Sequence, residues 1–599
     1  MRRGVVPLLV FVSLIGCAAR PAHPPAATKA TPAPGTQAAS APVSRTTNPR
    51  AYNHFMRAKL ALEDNDAAAA IEEYKLALVY DAESPYLYTQ LARTYYKAAD
   101  ARHAEEAARR AIALDERALD ARMQLAQIAA DRRDVERAEA EYKAILAIDP
   151  EYEDGYLYLG KLYADNDIGD KSVAILEALV ARKPNAVVGY YYLGLLAAQD
   201  KKLDLAEKHL REALKRRPSF IKAHTALASL FQSAGRIGDA VKVYEELLAM
   251  QPRNFYVRRQ LGELYAEMGE SEKALEHYLD YLDYDDENVA TRRQVGMLQL
   301  ELDQIAEAVE TFTWLAEKDR TSHLDRFFLG FALEAGGRNQ DALAEYAKIP
   351  RGPDGQTDVF VRARIRMALV HLESAQGDRA EAVLKEALTV APGNTALTAT
   401  LADVLTRTSR GVDAVSLLND ALKKAPEDEQ LLYGLGSAYE KLGKVDESVA
   451  QMRRILEVNP EHADAMNFIG YTLAERGRDL EEAERLVRRA LELRPENGFI
   501  VDSLGWVLFR KGDYEGAIRM LERANVLEPD EPVILEHLGD AYAKTQDQSG
   551  ALKQYERALS SKPGDAGTGD RLRGKIRETK TRLAARGSNA PAQIVPLRE

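Results

Sequence analysis

The only thiol in the chain is Cys17, and one thiol can close neither an internal disulfide nor a thiolate metal cage. What a lone cysteine can do is accept a covalent modification, and its setting points that way. Arg2 and Arg3 make a positive start, Val5 to Ile15 a short apolar run, and Leu14-Ile15-Gly16-Cys17 follows at once, the layout of a secretory signal. Elsewhere the residue types that do chemistry are dispersed. The 10 histidines fall in separate stretches, and His224 and His537 sit in helical patterns where packing or surface placement accounts for them. The chain carries no Gly-rich phosphate loop, HExxH pair or Gly-x-Ser-x-Gly elbow. Acidic runs such as Glu481-Glu482 belong to the wet faces of amphipathic helices. Neither catalysis, nor a cofactor, nor a metal is expected.

The elements that must carry these residues form a long chain of 599 residues, several times too long for one hydrophobic core, so it is multidomain or repetitive. Hydrophobic residues at 46% and charged residues at 29% are globular values. A mean hydropathy of -0.36 and the lack of any apolar run of membrane-spanning length argue against a spanning helix in the body. A net charge of -12 argues against a nucleic-acid partner, which needs a basic surface.

The tetrapeptide ending at Cys17 resembles the lipobox of bacterial lipoproteins. That resemblance implies removal of residues 1–16, acylation of Cys17 and anchoring on a membrane, where several acyl chains hold stably and one does not. Ala18 stands where inner-membrane retention in that family would favour Asp, so the implied address is the outer membrane, with the body in the periplasm. Residues 17–49 then read as an extended, PPII-biased tether, with Pro at 21, 24, 25, 32, 34, 42 and 49.

Beyond it the chain repeats. Pro150, Pro184, Pro218 and Pro252 lie 34 residues apart, as do Pro392, Pro426 and Pro460, and Pro495, Pro529 and Pro563 continue the series after one extra residue. Framed on these prolines, units begin at Ala51, Pro85, Leu119, Glu153, Val187, Ile221, Phe255, Val289 and His323, and after an insertion at 357–360 resume at Val361, Thr395, Glu429, Ala463, Gly498 and Pro532. Leu-Gly pairs (Leu159-Gly160, Leu504-Gly505, Leu538-Gly539) recur in the first half of units, and small residues (Ala206, Ala517, Ala551) in the second. The glycine lets a second helix approach the first, and the alanine is expected to meet it. Glycines such as Gly235, Gly269, Gly443 and Gly512 end first helices.

A period of 34 with these landmarks resembles the tetratricopeptide repeat, TPR, over residues 51–565. The fold implied is all-α: a solenoid superhelix of about fifteen helix-turn-helix repeats, with a capping helix at 566–586 and a disordered tail at 587–599. The Gly/Pro-rich stretch from Ile349 to Gly355 is expected to interrupt stacking and to divide the repeats into arrays of nine (51–356) and six (361–565), each long enough to fold alone. In the family the concave wall is lined by the second, fifth, ninth and twelfth residues of each first helix. Those places hold Tyr433, Glu440, Asn467, Tyr471, Phe499, Asp502, Trp506, Phe509, Glu536 and Asp540 in the final repeats, and Tyr86, Arg93, Tyr96, Tyr191, Tyr256, Arg259, Arg293, Phe327 and Phe331 in the earlier ones.

Aromatic anchors beside carboxylates suit a peptide groove. Trp506 is expected to be its exposed anchor, with Asp502, Glu536 and Asp540 repelling free carboxylates and selecting Lys or Arg. The resemblance implies a protein-binding scaffold, lipid-anchored in the bacterial envelope and assisting assembly of an envelope complex. Alternatives are an adaptor of a secretion, type IV pilus or motility apparatus, or an accessory subunit of a glycosyltransferase or other enzyme.

Overall fold

A computed structural model of the protein describes residues 48–351, 357–561 and 566–588, all of whose regular elements are helices. Fifteen helix pairs run from Pro49–Glu63 with Ala67–Tyr80 to Pro532–Lys544 with Gln548–Ser560, and a single helix, Ala566–Ser588, follows them. The signal, Cys17 and nearly all of the tether lie outside the described residues.

The repeat is written in the backbone. Each pair has a left-handed residue between its two helices, at Asn65, Ala99, Arg133, Asp167, Lys201, Gly235, Gly269, Asp303, Gly337, Ala375, Ser409, Gly443, Gly477, Gly512 and Gln546, and one pair has Asp479 left-handed as well. Their spacing is 34 residues, lengthened by four before Ala375 and by one before Gly512. At Ala99 the conformation costs an L-residue about 1 kcal/mol. It is held because the next amide, Asp100 N, donates to the Tyr95 carbonyl at 2.9 Å, closing the first helix. The Asp100 side chain then accepts from His103 N at 3.1 Å and opens the second.

Within a hairpin the glycine notch is filled differently from the sequence expectation. A Cβ on Gly505 would lie 2.6 Å from Leu521 Cγ, and one on Gly539 2.5 Å from Tyr555 Cε1. The large residue one turn beyond the conserved-spacing alanine enters the notch, while Ala517 and Ala551 are fully buried beside it. A side chain at either glycine would push the two helices apart.

Residue contacts fall into two units, one ending at Val243 and one beginning at Tyr244. In the first, Ala58, Ala70, Tyr74, Leu87 and Leu91 begin an apolar core between successive hairpins. In the second, one continuous core runs from Ala308 to Ala541. It passes straight through the expected break. Ile349 and Phe360 are buried in the same cluster, Arg364 donates to the carbonyls of Tyr346 (2.9 Å) and Ile349 (3.2 Å), and the Arg366 guanidinium pairs with buried Glu334. Residues 357–360 form the first turn of Thr357–Glu373, a 17-residue helix where its counterparts mostly have 13, and the preceding Asn339–Ala347 is correspondingly short at 9. The irregular stretch thus shifts residues from one helix to the next while stacking continues, and the division at 349–358 is not where the contacts divide.

The last helix buries Leu572 and Ile576 against Leu535, Tyr555 and Ala558. It covers the final core, as a terminal element of a solenoid must, and extends two residues past the expected end at 586.

Candidate partner-binding wall

The first helices of the last four repeats, Glu429–Lys441, Ala463–Arg476, Gly498–Lys511 and Pro532–Lys544, carry the predicted wall residues. Their environments differ sharply. Phe499 is 50% exposed, and Tyr433, Asn467, Tyr471 and Phe509 are half-buried, whereas Trp506 is 8% exposed and Asp502 and Glu536 each 5%.

Trp506 is therefore not the free anchor expected of it. Its ring stacks on His537 (centroids 4.2 Å, planes 16° apart) and on Phe509 (4.8 Å, 8°), and Phe509 meets Tyr514 edge-on at 5.5 Å. His537 belongs to the next repeat. Its sixth helical position projects over the ninth of the repeat before, which is how one repeat covers another's wall. The indole Nε1 is buried without a hydrogen-bond partner, and so is Asn467 Oδ1.

The acids are likewise spoken for. His537 Nδ1 lies 2.9 and 3.1 Å from the two oxygens of Asp502. Burial pushes the imidazole toward neutrality, but the charge and hydrogen bond of Asp502, aided by Asp540 and Glu475, hold its pKa above the ordinary value. Glu536 accepts a forked pair of bonds from Arg571 (2.7 and 2.9 Å), and Lys575 Nζ lies 2.8 Å from it. Burial alone would raise the Glu536 carboxyl, yet these two cations hold it at about 2. Asp540 accepts from Tyr555 Oη and from Lys575 Nζ, both at 2.6 Å. So the acids expected to repel carboxylates and recruit Lys or Arg are neutralised from within: the capping helix supplies cations where a sixteenth repeat would have begun.

What remains open is one repeat earlier. Glu440 and Glu475 are exposed and make no side-chain hydrogen bond or ion pair among the described residues. Although Glu440 is exposed, the side chains packed around it partly desolvate its carboxylate and raise its pKa, with only Lys441 opposing. Between them stands Tyr471, whose phenol is pushed up by burial and by the carboxylates of Glu475, Asp502, Glu440 and Glu536. Tyr433 packs near by, stacked on His462 at 6.4 Å and edge-on to Phe468 at 6.0 Å. A half-buried aromatic flanked by two uncompensated carboxylates has the chemistry to attract a cationic side chain.

In the earlier repeats several predicted wall residues are also consumed internally. Arg293 forks onto fully buried Asp325 at 2.5 and 2.9 Å, Tyr96 Oη donates to Asp131 at 2.6 Å, and Arg259 pairs with Glu263 at 2.8 Å. Tyr256 (43%) and Tyr86 (36%) remain exposed. Sequence reasoning missed His537, Arg571 and Lys575. The signal available was a complementary residue 35 positions after Asp502, Glu536 and Asp540.

The tetratricopeptide repeat model matches residues 89–153, 159–219, 225–288, 365–429, 433–498 and 503–566. A TPR repeat-containing protein of Pseudomonas aeruginosa is 29% identical over 187 residues, 31% of this chain, and the match spans 31% of that relative's own length. Among solved structures, yeast Tom70 covers 73% of this chain and 97% of its own, at 16% identity and a TM-score of 0.40. The Naa15/Naa10 structure bound to HypK covers 91% of this chain and 98% of its own, at 13% identity and a TM-score of 0.34. With the repeat model matching well over half of its length, this chain belongs to the tetratricopeptide repeat family, whose repeats serve as protein-interaction scaffolds.

Proposed function

We propose that the protein is a lipid-anchored scaffold of the bacterial envelope, its repeats held in the periplasm by acylated Cys17 on the outer membrane, gripping segments of other proteins to assist assembly of an envelope complex. The observation that carries the binding half of this reading is the wall around Tyr471. Whereas Asp502, Glu536 and Asp540 are paired, Glu440 and Glu475 are left without cations among the described residues, beside an accessible aromatic ring. A partner segment bearing Lys or Arg next to an apolar side chain supplies what is missing. Exposed Phe499, on the following first helix, offers the apolar contact. The anchoring half rests on the residues around Cys17.

Two experiments test the halves separately. Cys17→Ser should release the protein from outer membranes after a high-salt wash with its helicity unchanged; full retention would remove the lipid anchor from the proposal. In solution, a capped peptide alternating Lys and Leu should bind the full chain, and Glu440→Gln with Glu475→Gln should weaken it about tenfold. Unchanged affinity would move the binding wall elsewhere.

A further inference from the structure

The first unit carries a second wall of opposite sign. The first helices of repeats 1 and 2, Pro49–Glu63 and Pro85–Lys97, bring together Lys59, Arg93 and Lys97. Lys59 Nζ donates to Oε1 of buried Gln90 at 3.1 Å and lies 5.5 Å from the Phe55 ring centre. Gln90, Arg93 and Lys97 follow one another at helical-turn spacing, so they share a face. Among the described residues the only carboxylate within 4 Å of any of the three is Asp120, 3.6 Å from Arg93 and already accepting from Tyr152 Oη. Burial, then the charges of Arg93 and Lys97, hold the Lys59 ammonium below its ordinary pKa.

A separate observation marks the same place. Tyr74 is fully buried, and its hydroxyl has no hydrogen-bond partner. Burial pushes it up to about 12, with Tyr86 and Arg93 within electrostatic reach, so at neutral pH it is an unused donor at the floor of the wall. Phe55 packs between Tyr74 (6.1 Å) and Tyr86 (5.7 Å), and Tyr86 is 36% exposed.

We propose that this wall binds an acidic segment of a partner protein, whose side-chain carboxylates pair with Lys59, Arg93 and Lys97 while its backbone lies against Phe55 and Tyr86. Two anions in succession fit better than one, because Arg93 and Lys97 stand one helical turn apart. The chain's overall negative charge makes this wall a local exception, which favours a short acidic stretch over a long polyanion. The proposal lies in the first unit and does not depend on the Tyr471 wall.

The test uses the full chain and a fluorescent oligoglutamate peptide acetylated and amidated at its ends, with anisotropy as the readout. Binding should be saturable, weaken with added salt, and fall about tenfold or more in Arg93→Gln with Lys97→Gln, while Glu440→Gln leaves it unchanged. Arg93 and Lys97 are solvent-accessible, and unchanged circular dichroism would confirm that the variant folds. The proposal is overturned if affinity survives the double substitution, if only an uncapped peptide binds, or if oligodeoxythymidylate of equal charge competes as well as the peptide does.

Discussion

The concave positions at the two ends of the repeat series hold charges of opposite sign, and they treat them in opposite ways. In the last two repeats the three concave acids are each met by the first helix that follows: Asp502 by His537, Glu536 by Arg571 and Lys575, Asp540 by Lys575. In repeats 1 and 2 the cations Lys59 and Lys97 meet no carboxylate within 4 Å among the described residues, and Arg93 meets only Asp120 at 3.6 Å. A wall position is thus not a binding position by virtue of its place in the repeat. It is available only if the next helix leaves it unsatisfied, because a buried charge matched inside the protein has little left to offer a partner.

The sharpest way to break this contrast is Trp506→Ala. If Trp506 is core, covered by His537 and Phe509, truncation should cost about 3–5 kcal/mol, read as a fall of several degrees in the melting of the last repeats by circular dichroism. Retained stability with lost partner binding would restore it to the open wall.

Next in size is the acid pair under the capping helix. The Glu536 carboxyl sits at about 2 against an ordinary 4.5. A depressed carboxylate contributes stability that is present above its unfolded value and lost as pH falls toward its folded one. The contribution should therefore be full above pH 4.5 and fade between 4.5 and about 2, to the extent of roughly 2–3 kcal/mol. Glu536→Gln should flatten that acid limb in a melting-temperature profile. Its persistence would mean that Glu536 is not the source of the acid dependence.

His537 works in the other direction. Its folded pKa is raised above 6.5, so its pairing with Asp502 stabilises fully below that value and weakens as pH rises through the folded one. In a Trp314→Phe background, Trp506 is the remaining tryptophan, and its fluorescence should report a titration above pH 6.5 that is lost from that range in Asp502→Asn. An unchanged titration in that variant would assign it to another group.

The fold was legible because its signals repeat. Leu-Gly pairs, prolines and turn residues recur in register, and the fifteen left-handed turn residues carry the same spacing in three dimensions. Where the register slipped, reading failed: the Gly/Pro stretch after Ile349 looked like a stop, yet Arg364 and Arg366 bind back across it and the core continues. The site was half legible. Wall positions follow from helical periodicity, but their accessibility depends on side chains a full repeat away. His537 has no local mark to distinguish it from a surface histidine, and nothing local in the last helix marks Arg571 and Lys575 as the partners of Glu536 and Asp540.

The smallest effect tests the other side of the comparison. A lysine whose ammonium is depressed by burial and by neighbouring cations is destabilising in its charged form, since folding must oppose protonation that the unfolded chain accepts freely. Lys59 is such a group, and stability should rise with pH as it loses its proton. Lys59→Met keeps the apolar stem beside Phe55 and removes the charge. It forfeits the bond to Gln90, a loss of about 1 kcal/mol in ordinary cases, which offsets part of the gain. The net result should be neutral to slightly stabilising, within about 1 kcal/mol, and larger at low salt, where repulsion from Arg93 and Lys97 is least screened. The corresponding removal of charge at Asp502 should destabilise. If Lys59→Met also destabilises, and does so most at low salt, Lys59 has an anionic partner inside the unit, and the first and last repeats follow one rule after all.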